Sequence, residues 1–141
     1  MEINSIPDLK RVAFIGNYLP RQCGIATFTT DLSDAFTEQF PDIQSMVIAM
    51  NDTIEGYTYC DKVRYEIRES NLFDYERAAN FLNQHSVDAI SLQHEYGIFG
   101  GEWGKYILTL LRNVSAPVVT TFHTVLEKPT PEQLETLREV A

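Results

Sequence analysis

Hydrophobic residues along the chain occur in short continuous runs that alternate with more widely spaced stripes. The runs at residues 11–16, 45–50 and 89–93 are almost wholly apolar, which is typical of strands buried on both faces of a sheet. Residues 117–122 are rich in β-branched side chains, and residues 63–67 alternate enough to form a shorter strand. This pattern predicts five strands.

Apolar residues at helical spacing lie between these runs and after the last of them. They predict helices over residues 25–40, 72–85 and 103–111. A fourth helix is expected to begin at Thr130, because Thr130 is followed by a proline at the first helical position and by a glutamine at the capping-box position. The segment between the second and third strands predicts no element.

Strands that alternate with helices predict right-handed βαβ units and a mainly parallel sheet. The fold class expected is therefore α/β, with a Rossmann-like doubly wound sheet. The 141 residues suit one compact domain over residues 1–141, without an internal repeat or a low-complexity linker.

Composition narrows the possible partners and the cellular compartment. The 20 acidic and 11 basic residues give a formal charge of −9, which opposes binding to nucleic acid or to an anionic lipid surface. Cys23 and Cys60 are far apart and form no CxxC pair, and no signal-peptide pattern precedes them. We therefore expect a cytoplasmic protein without a disulfide framework. The apolar runs are far shorter than the roughly 20 residues that cross a bilayer.

The unusual residues concentrate in three loops that follow strands, at 17–24, 94–101 and 123–129. Because parallel strands present their carboxyl ends at one edge, these loops should lie together. In the first loop, Gly24 precedes a helix and would let backbone amides approach a phosphate, with Arg21 as a weaker candidate. The alternative is that Gly24 only makes the turn.

The second loop begins with an imidazole next to a carboxylate, at His94 and Glu95. Histidine can donate a hydrogen bond to a hydroxyl or a carbonyl, or exchange a proton near neutral pH, so His94 is a candidate polar contact in a sugar site. Glu95 is a candidate for orienting a hydroxyl. Gly100 and Gly101 would let the loop bend closely around a substrate. The alternative is that His94 is a histidine hydrogen-bonded to backbone at a strand end.

The third loop repeats this arrangement with His123 and Thr124. Two histidines that converge at one edge indicate a site more strongly than one histidine does. We expect no metal, because the sequence contains no HxH, HExxH or cysteine pair.

Three segments in this order resemble the N-terminal domain of the retaining glycosyltransferases of family four. They are RVAFIG at 11–16 with PRQCGIATFT at 20–29, SLQHEYGIFGG at 91–101, and VVTTFHT at 118–124. The likeness spans nearly the whole chain, and the combination is more specific than any one segment. It implies the N-terminal half of a two-domain GT-B architecture.

The resemblance also implies roles for individual residues. Gly24 falls where the family's first loop approaches the donor diphosphate, and His94 falls where a histidine faces the transferred sugar. Glu95 would support His94, and His123 would lie near the acceptor. The sequence departs from the family's usual Gly-Gly pair in the first loop, because Cys23 precedes Gly24.

The implied reaction is transfer of a hexosyl group from a nucleotide diphosphate sugar to an acceptor hydroxyl, with retention and without an obligatory metal or other cofactor. The family's donor-binding C-terminal domain, with its two-glutamate motif, has no counterpart in these residues. The last helix reaches Ala141 without a glycine cap, which is more typical of a truncated domain. We therefore expect no transferase activity from this chain alone, and membrane association through the missing half stays open.

Two other functions are compatible with the same fold. One is a stand-alone nucleotide-binding or phosphate-binding regulatory module of flavodoxin-like topology. The other is a protein-interaction domain in which Tyr96, Phe99 and Trp103 form a partner-binding patch.

Overall fold

The computed structural model describes residues 8–141, which form one sheet of five parallel strands with helices on both faces. The strand order is β3-β2-β1-β4-β5. The prediction of a Rossmann-like doubly wound α/β fold is therefore confirmed. The elements are β1 (Arg11–Gly16), α1 (Gly24–Gln39), β2 (Gln44–Asn51), β3 (Val63–Arg68), α2 (Leu72–Gln84), β4 (Ala89–His94), α3 (Ile107–Asn113), β5 (Val118–Phe122) and α4 (Pro131–Val140).

The central strand β1 supplies side chains to two separate cores. Val12 and Phe14 point to the face covered by α1, whereas Ala13 and Ile15 point to the face covered by α2 and α3. Successive residues of a strand face opposite sides of the sheet, so a strand covered on both faces needs a continuous apolar run. That requirement explains the run at the start of the chain.

The strand order reverses between β1 and β4, the point at which doubly wound sheets usually bind ligands. At this edge Gly16 ends β1 in a crowded position. A Cβ atom there would lie 2.8 Å from Oγ1 of Thr29 in α1 and 3.1 Å from Cβ of Gln93 in β4. The glycine therefore lets β1, α1 and β4 meet closely at the reversal.

The predicted helix over residues 103–111 is wrong at its start. Two short 3₁₀ turns, Tyr96–Ile98 and Glu102–Gly104, precede α3, which begins only at Ile107. Trp103 has a φ of 55° and Gly104 has a φ of 73°, and these left-handed conformations prevent an α-helix from running through them. Apolar spacing alone did not reveal this interruption.

The capping box predicted for the last helix is present. The Oγ1 atom of Thr130 accepts a hydrogen bond from the Gln133 amide at 3.3 Å, and the Gln133 side-chain oxygen accepts one from the Thr130 amide at 2.8 Å. Two backbone donors that no helical turn can satisfy are thereby paired.

The longest helix, α1, has 16 residues. Within residues 8–141, no helix has both the length and the apolar character that crossing a membrane requires.

Candidate functional site

The carboxyl edge of the sheet gathers polar side chains that come from all five strand ends. Because these strands are parallel, residues far apart in sequence become neighbours there. The set contains every polar residue that the sequence predicted for the site, and it adds others that the sequence did not single out. Its members are Asn17, Arg21, Asn51, Asp52, Glu69, Gln93, His94, Glu95, His123 and Thr124.

His94 ends β4 at the reversal and is fully buried, with 0% of its surface exposed. Neither ring nitrogen has a hydrogen-bond partner among residues 8–141. The ring is surrounded by aromatic side chains, with centroids at 5.3 Å for Tyr96, 5.3 Å for Phe122 and 5.9 Å for Phe99. The alternative of a ring hydrogen-bonded to backbone is therefore wrong.

Burial is the main influence on the charge state of His94. It lowers the pKa of the imidazole below its ordinary value; the carboxylate of Glu95 opposes this effect, and His123 adds to it. A neutral imidazole can donate one hydrogen bond and accept another. His94 can therefore bind a hydroxyl group in either direction.

Glu95 supports the loop rather than the ring of His94. Its Oε2 atom accepts a 2.6 Å hydrogen bond from the Gly97 amide, and Oε1 accepts a 3.4 Å hydrogen bond from the Thr124 hydroxyl. The carboxylate forms no hydrogen bond with the imidazole. The support for His94 that the resemblance implied is therefore limited to the electrostatic effect on its pKa.

The two histidines converge as the sequence predicted. The His123 amide donates a 2.9 Å hydrogen bond to the carbonyl of His94, and the His123 ring packs edge-on against Phe28. Nε2 of His123 also lies 2.9 Å from the side-chain oxygen of Gln93, which is fully buried. Sequence reasoning missed Gln93, although a glutamine in an otherwise apolar strand was a usable signal.

The N-terminus of α1 lies at the same edge and is capped by Cys23. The Cys23 sulfur accepts hydrogen bonds from the Ala26 amide and from the Asn17 side chain, both at 3.3 Å. The amides of Gly24 and Ile25 have no acceptor among residues 8–141. Such amides, together with the helix dipole, can bind an anion.

Gly24 is exposed, and its backbone is not left-handed. No atom of the described residues lies within 4 Å of the position that a Cβ atom would take. The turn therefore does not require glycine here, which disfavours the alternative that Gly24 only shapes the chain.

Arg21 holds the first loop against β2. One guanidinium nitrogen donates to the side-chain oxygen of Asn17 at 3.0 Å and to the carbonyl of Met50 at 3.1 Å. The other lies 3.7 Å from a carboxylate oxygen of Asp52. The positive charge of Arg21 also acts on the carboxyl group of Glu69, which follows β3. Burial raises the pKa of this carboxyl group, and the charge of Arg21 opposes that rise. Arg21 is at the predicted edge, but these contacts give it a structural role.

Gly100 and Gly101 serve packing. The Gly100 amide donates to the Tyr75 hydroxyl at 2.9 Å, and its carbonyl accepts from the Tyr106 amide at 3.0 Å. A Cβ atom on Gly100 would lie 2.0 Å from the carbonyl oxygen of Glu69. Gly101 has a φ of 78°, and a Cβ atom on it would meet the Tyr106 ring. The backbone groups of Gly100 are therefore already paired, which disfavours the predicted contact with a substrate.

The aromatic patch considered for partner binding is not continuous. Phe99 is 4% exposed and belongs to the core, whereas Trp103 is 38% exposed and Tyr96 is half-buried. The alternative in which these three residues form one partner-binding patch is wrong in this respect, because Phe99 packs inward beside His94.

Open concavities flank the edge but do not reach His94. One of about 450 Å³ lies beside the ends of β2 and β3, with Asp52 and Phe73 in its lining. Another of about 410 Å³ lies between α3 and α4, with Trp103 in its lining. His94 lines neither of them, so its ring is closed off in this conformation.

The edge combines two kinds of binding chemistry. A neutral imidazole at His94 suits hydroxyl groups, and the open amides at the start of α1 suit an anion. Within the described residues, no group of three or more His, Cys, Asp or Glu side chains is placed to hold a metal ion. A ligand with hydroxyls at one end and phosphate at the other fits this combination.

No protein-family model matches the chain, and no curated protein gives a significant match. Doubly wound sheets serve many functions, so the fold alone does not select one.

Proposed function

We propose that this chain is the acceptor-side domain of a retaining hexosyltransferase that uses a nucleotide diphosphate sugar. The observation that carries the proposal is the imidazole of His94, buried at the strand reversal with both nitrogens unpaired among residues 8–141. Buried polar groups in folded proteins nearly always have hydrogen-bond partners, so an unpaired one indicates a group that binds a ligand or takes part in the reaction. A hydroxyl of the transferred sugar supplies that partner.

The start of α1 supports the same reaction. The amides of Gly24 and Ile25, which no group in residues 8–141 accepts from, point from a helix N-terminus, which favours negative charge. In the proposed reaction they stabilise the diphosphate as it leaves the sugar. Positioning and this electrostatic stabilisation account for the rate, and no metal is needed for either.

His123 is the proposed contact for the acceptor. Gln93 occupies its Nε2 atom, which leaves Nδ1 as a hydrogen-bond acceptor. Thr124 follows it, with its hydroxyl directed to Glu95. The acceptor is a carbohydrate or another hydroxyl compound that His123 can orient.

The proposed enzyme needs a second domain of its own to bind most of the donor. This chain alone therefore has no turnover. The test uses the protein that the complete reading frame encodes, with the 141-residue chain as a control, and screens nucleotide diphosphate sugars for release of nucleoside diphosphate.

Two variants of His94 and one control identify the site. His94→Ala removes the ring, and His94→Phe keeps an aromatic ring among Tyr96, Phe99 and Phe122. Both should slow release by roughly 100-fold, the usual size of a lost transition-state contact. His85→Ala is the matched control, because His85 caps α2 with its Nδ1 atom 2.8 Å from the Phe81 carbonyl. Consumption of no nucleotide sugar refutes the proposed function, and equal rates in all variants refute the role of His94.

A stand-alone phosphate-binding module is the second candidate, favoured by the open amides at the start of α1. It predicts saturable binding of inorganic phosphate or a nucleoside diphosphate by the 141-residue chain itself. Titration calorimetry measures this directly. Such binding, without sugar consumption by the complete protein, would favour the module.

A further inference from the structure

Tyr96 lies over the imidazole of His94. The two rings meet edge to face, with centroids 5.3 Å apart and planes at 81°. The Tyr96 hydroxyl is buried and has no hydrogen-bond partner within residues 8–141. Two neighbouring residues at one site therefore hold three unpaired polar atoms, namely this hydroxyl and the two nitrogens of His94.

The other two aromatic side chains around His94 are fixed parts of the fold. Phe99 belongs to the core on the sheet face that α2 and α3 cover, and Phe122 is the last residue of β5, paired with His94 in the sheet. Tyr96 instead begins a 3₁₀ turn at the surface, next to the exposed Gly97. Of the three aromatic residues that pack against His94, Tyr96 is therefore the one whose side chain can move aside without disturbing the core or the sheet.

Among residues 8–141, no polar contact holds the Tyr96 side chain in place. Glu95 binds the backbone of the turn at Gly97, so the turn is anchored while the ring is not. Trp103 lies edge-on beside the Tyr96 ring, at a centroid distance of 6.5 Å. A rotation of the Tyr96 side chain would expose its hydroxyl to water and would uncover His94. Water could then form hydrogen bonds with the hydroxyl and with the ring nitrogens, which are unpaired in the closed position.

We propose that Tyr96 is a gate over His94. In the closed position its ring covers the imidazole. In the open position its hydroxyl becomes a second hydrogen-bonding group for the ligand that His94 receives. That ligand is a ring with adjacent hydroxyls, such as a hexose, and only this identity rests on the proposed function.

The gate can be tested without any ligand by chemical modification of histidine. The chain contains three histidines. Diethyl pyrocarbonate acylates an accessible neutral imidazole, and mass spectrometry gives the rate at each position. His85, at the end of α2, is the reference in every molecule. The rates at His94 are compared in the wild type, Tyr96→Phe and Tyr96→Ala.

The two variants should move the rate at His94 in opposite directions. Tyr96→Phe removes the unpaired hydroxyl and so favours the closed gate; we expect modification to slow roughly fivefold, about the effect of one neutral hydrogen bond. The midpoint of thermal unfolding should rise at the same time. Tyr96→Ala removes the cover, and modification should accelerate at least about tenfold. A tenfold change in rate corresponds to a free-energy difference only slightly larger than that of one hydrogen bond.

Rates at His94 that are the same in all three proteins overturn the gate, as does a faster rate in Tyr96→Phe. If Tyr96→Ala fails to fold, its His85 rate rises as well, and the comparison with Tyr96→Phe then decides. A structural role of the hydroxyl predicts the opposite sign, with lower thermal stability in Tyr96→Phe.

A second arm separates the gate from the proposed function. UDP-glucose and GDP-mannose are added to the complete protein, and protection of His94 from acylation is measured beside sugar consumption. A gate that passes the first test in a protein that consumes no nucleotide sugar stands while the transferase proposal fails. Consumption of the sugar with no dependence of the His94 rate on Tyr96 refutes the gate alone.

Discussion

The Nε2 atom of His123 lies 2.9 Å from the side-chain oxygen of Gln93, and this hydrogen bond joins the segment after β5 to β4. The Gln93 amide nitrogen in turn donates to the Ser91 hydroxyl at 3.2 Å. An amide oxygen only accepts, so Nε2 of His123 carries the proton. A buried glutamine thus sets the tautomer of a proposed substrate-binding histidine.

Gln93→Leu should release that tautomer. The variant removes the only acceptor for Nε2 that the described residues supply, so His123 should populate both neutral tautomers, and unfolding stability should fall by about 1 kcal/mol. Long-range ¹⁵N correlation spectra measure the tautomers directly. Gln84→Leu, at the exposed end of α2, is the matched control. A single Nε2–H tautomer in Gln93→Leu would show that another group orients the ring.

Alanine at Gly24 and at Gly100 should separate a binding role from a packing role. A Cβ atom on Gly100 meets the carbonyl oxygen of Glu69 at 2.0 Å, so Gly100→Ala should lower unfolding stability by about 3 kcal/mol. A Cβ atom on Gly24 meets no atom of the described part of the chain within 4 Å, so stability should change by no more than about 0.5 kcal/mol. Urea unfolding measures both variants.

The same Gly24→Ala variant should weaken phosphate or diphosphate binding, because its methyl group enters the space beside the open amides. Titration calorimetry on the folded variant measures this effect. Unchanged affinity would place the anion elsewhere, and the stability comparison with Gly100→Ala would remain valid.

Stability should fall at mildly acidic pH because of His94. Its pKa in the folded chain is lowered, so the unfolded chain binds a proton more readily. The stabilisation is fully present above the ordinary pKa of about 6.5 and is lost as pH falls below it, with a slope of up to about 1.4 kcal/mol per pH unit. Glu95 and His123 also face the ring, and the first opposes the shift.

Urea unfolding between pH 5 and pH 8 should show this slope in the wild type and a smaller one in His94→Phe. His85→Phe serves as the control, since His85 lies at the other end of the sheet from the site. An equal slope in the wild type and in His94→Phe would assign the pH dependence to other groups.

Arg21→Lys should show whether Arg21 supports the fold or contacts a ligand. An ammonium group cannot reproduce the planar set of contacts to Asn17, Met50 and Asp52, so we expect a loss of about 1–2 kcal/mol in unfolding stability. Arg64→Lys, at an exposed position of β3, is the control. Unchanged stability together with weaker diphosphate binding would instead favour a ligand contact.

Most of the fold could be predicted from the sequence because both cores leave a periodic signal. The apolar run of β1 and the stripe of α1 each follow from burial against the sheet. The placement of His94 and His123 at one edge then followed from parallel strands, without knowledge of any contact.

The features that the sequence did not reveal depend on neighbours far away in the chain. Gly100 packs against the carbonyl oxygen of Glu69, and its amide donates a hydrogen bond to the Tyr75 hydroxyl. No sequence pattern around Gly100 indicates those contacts. The left-handed backbone of Trp103 likewise breaks a helix that local spacing favours. The cover of Tyr96 over His94 was hidden for a related reason, because it depends on the exact path of a turn.

The pairing of β1 with β4 also has a consequence for the time course of folding. Backbone groups of Arg11 bind Asp88 at a separation of 77 residues, whereas β1, α1, β2 and β3 follow one another closely. Contacts between distant segments form slowly, since a long loop must close before any pairing is gained. We expect refolding chains to complete the β1–β3 half first. The aromatic side chains around His94 then come together last, when β4 pairs with β1 and β5 pairs with β4.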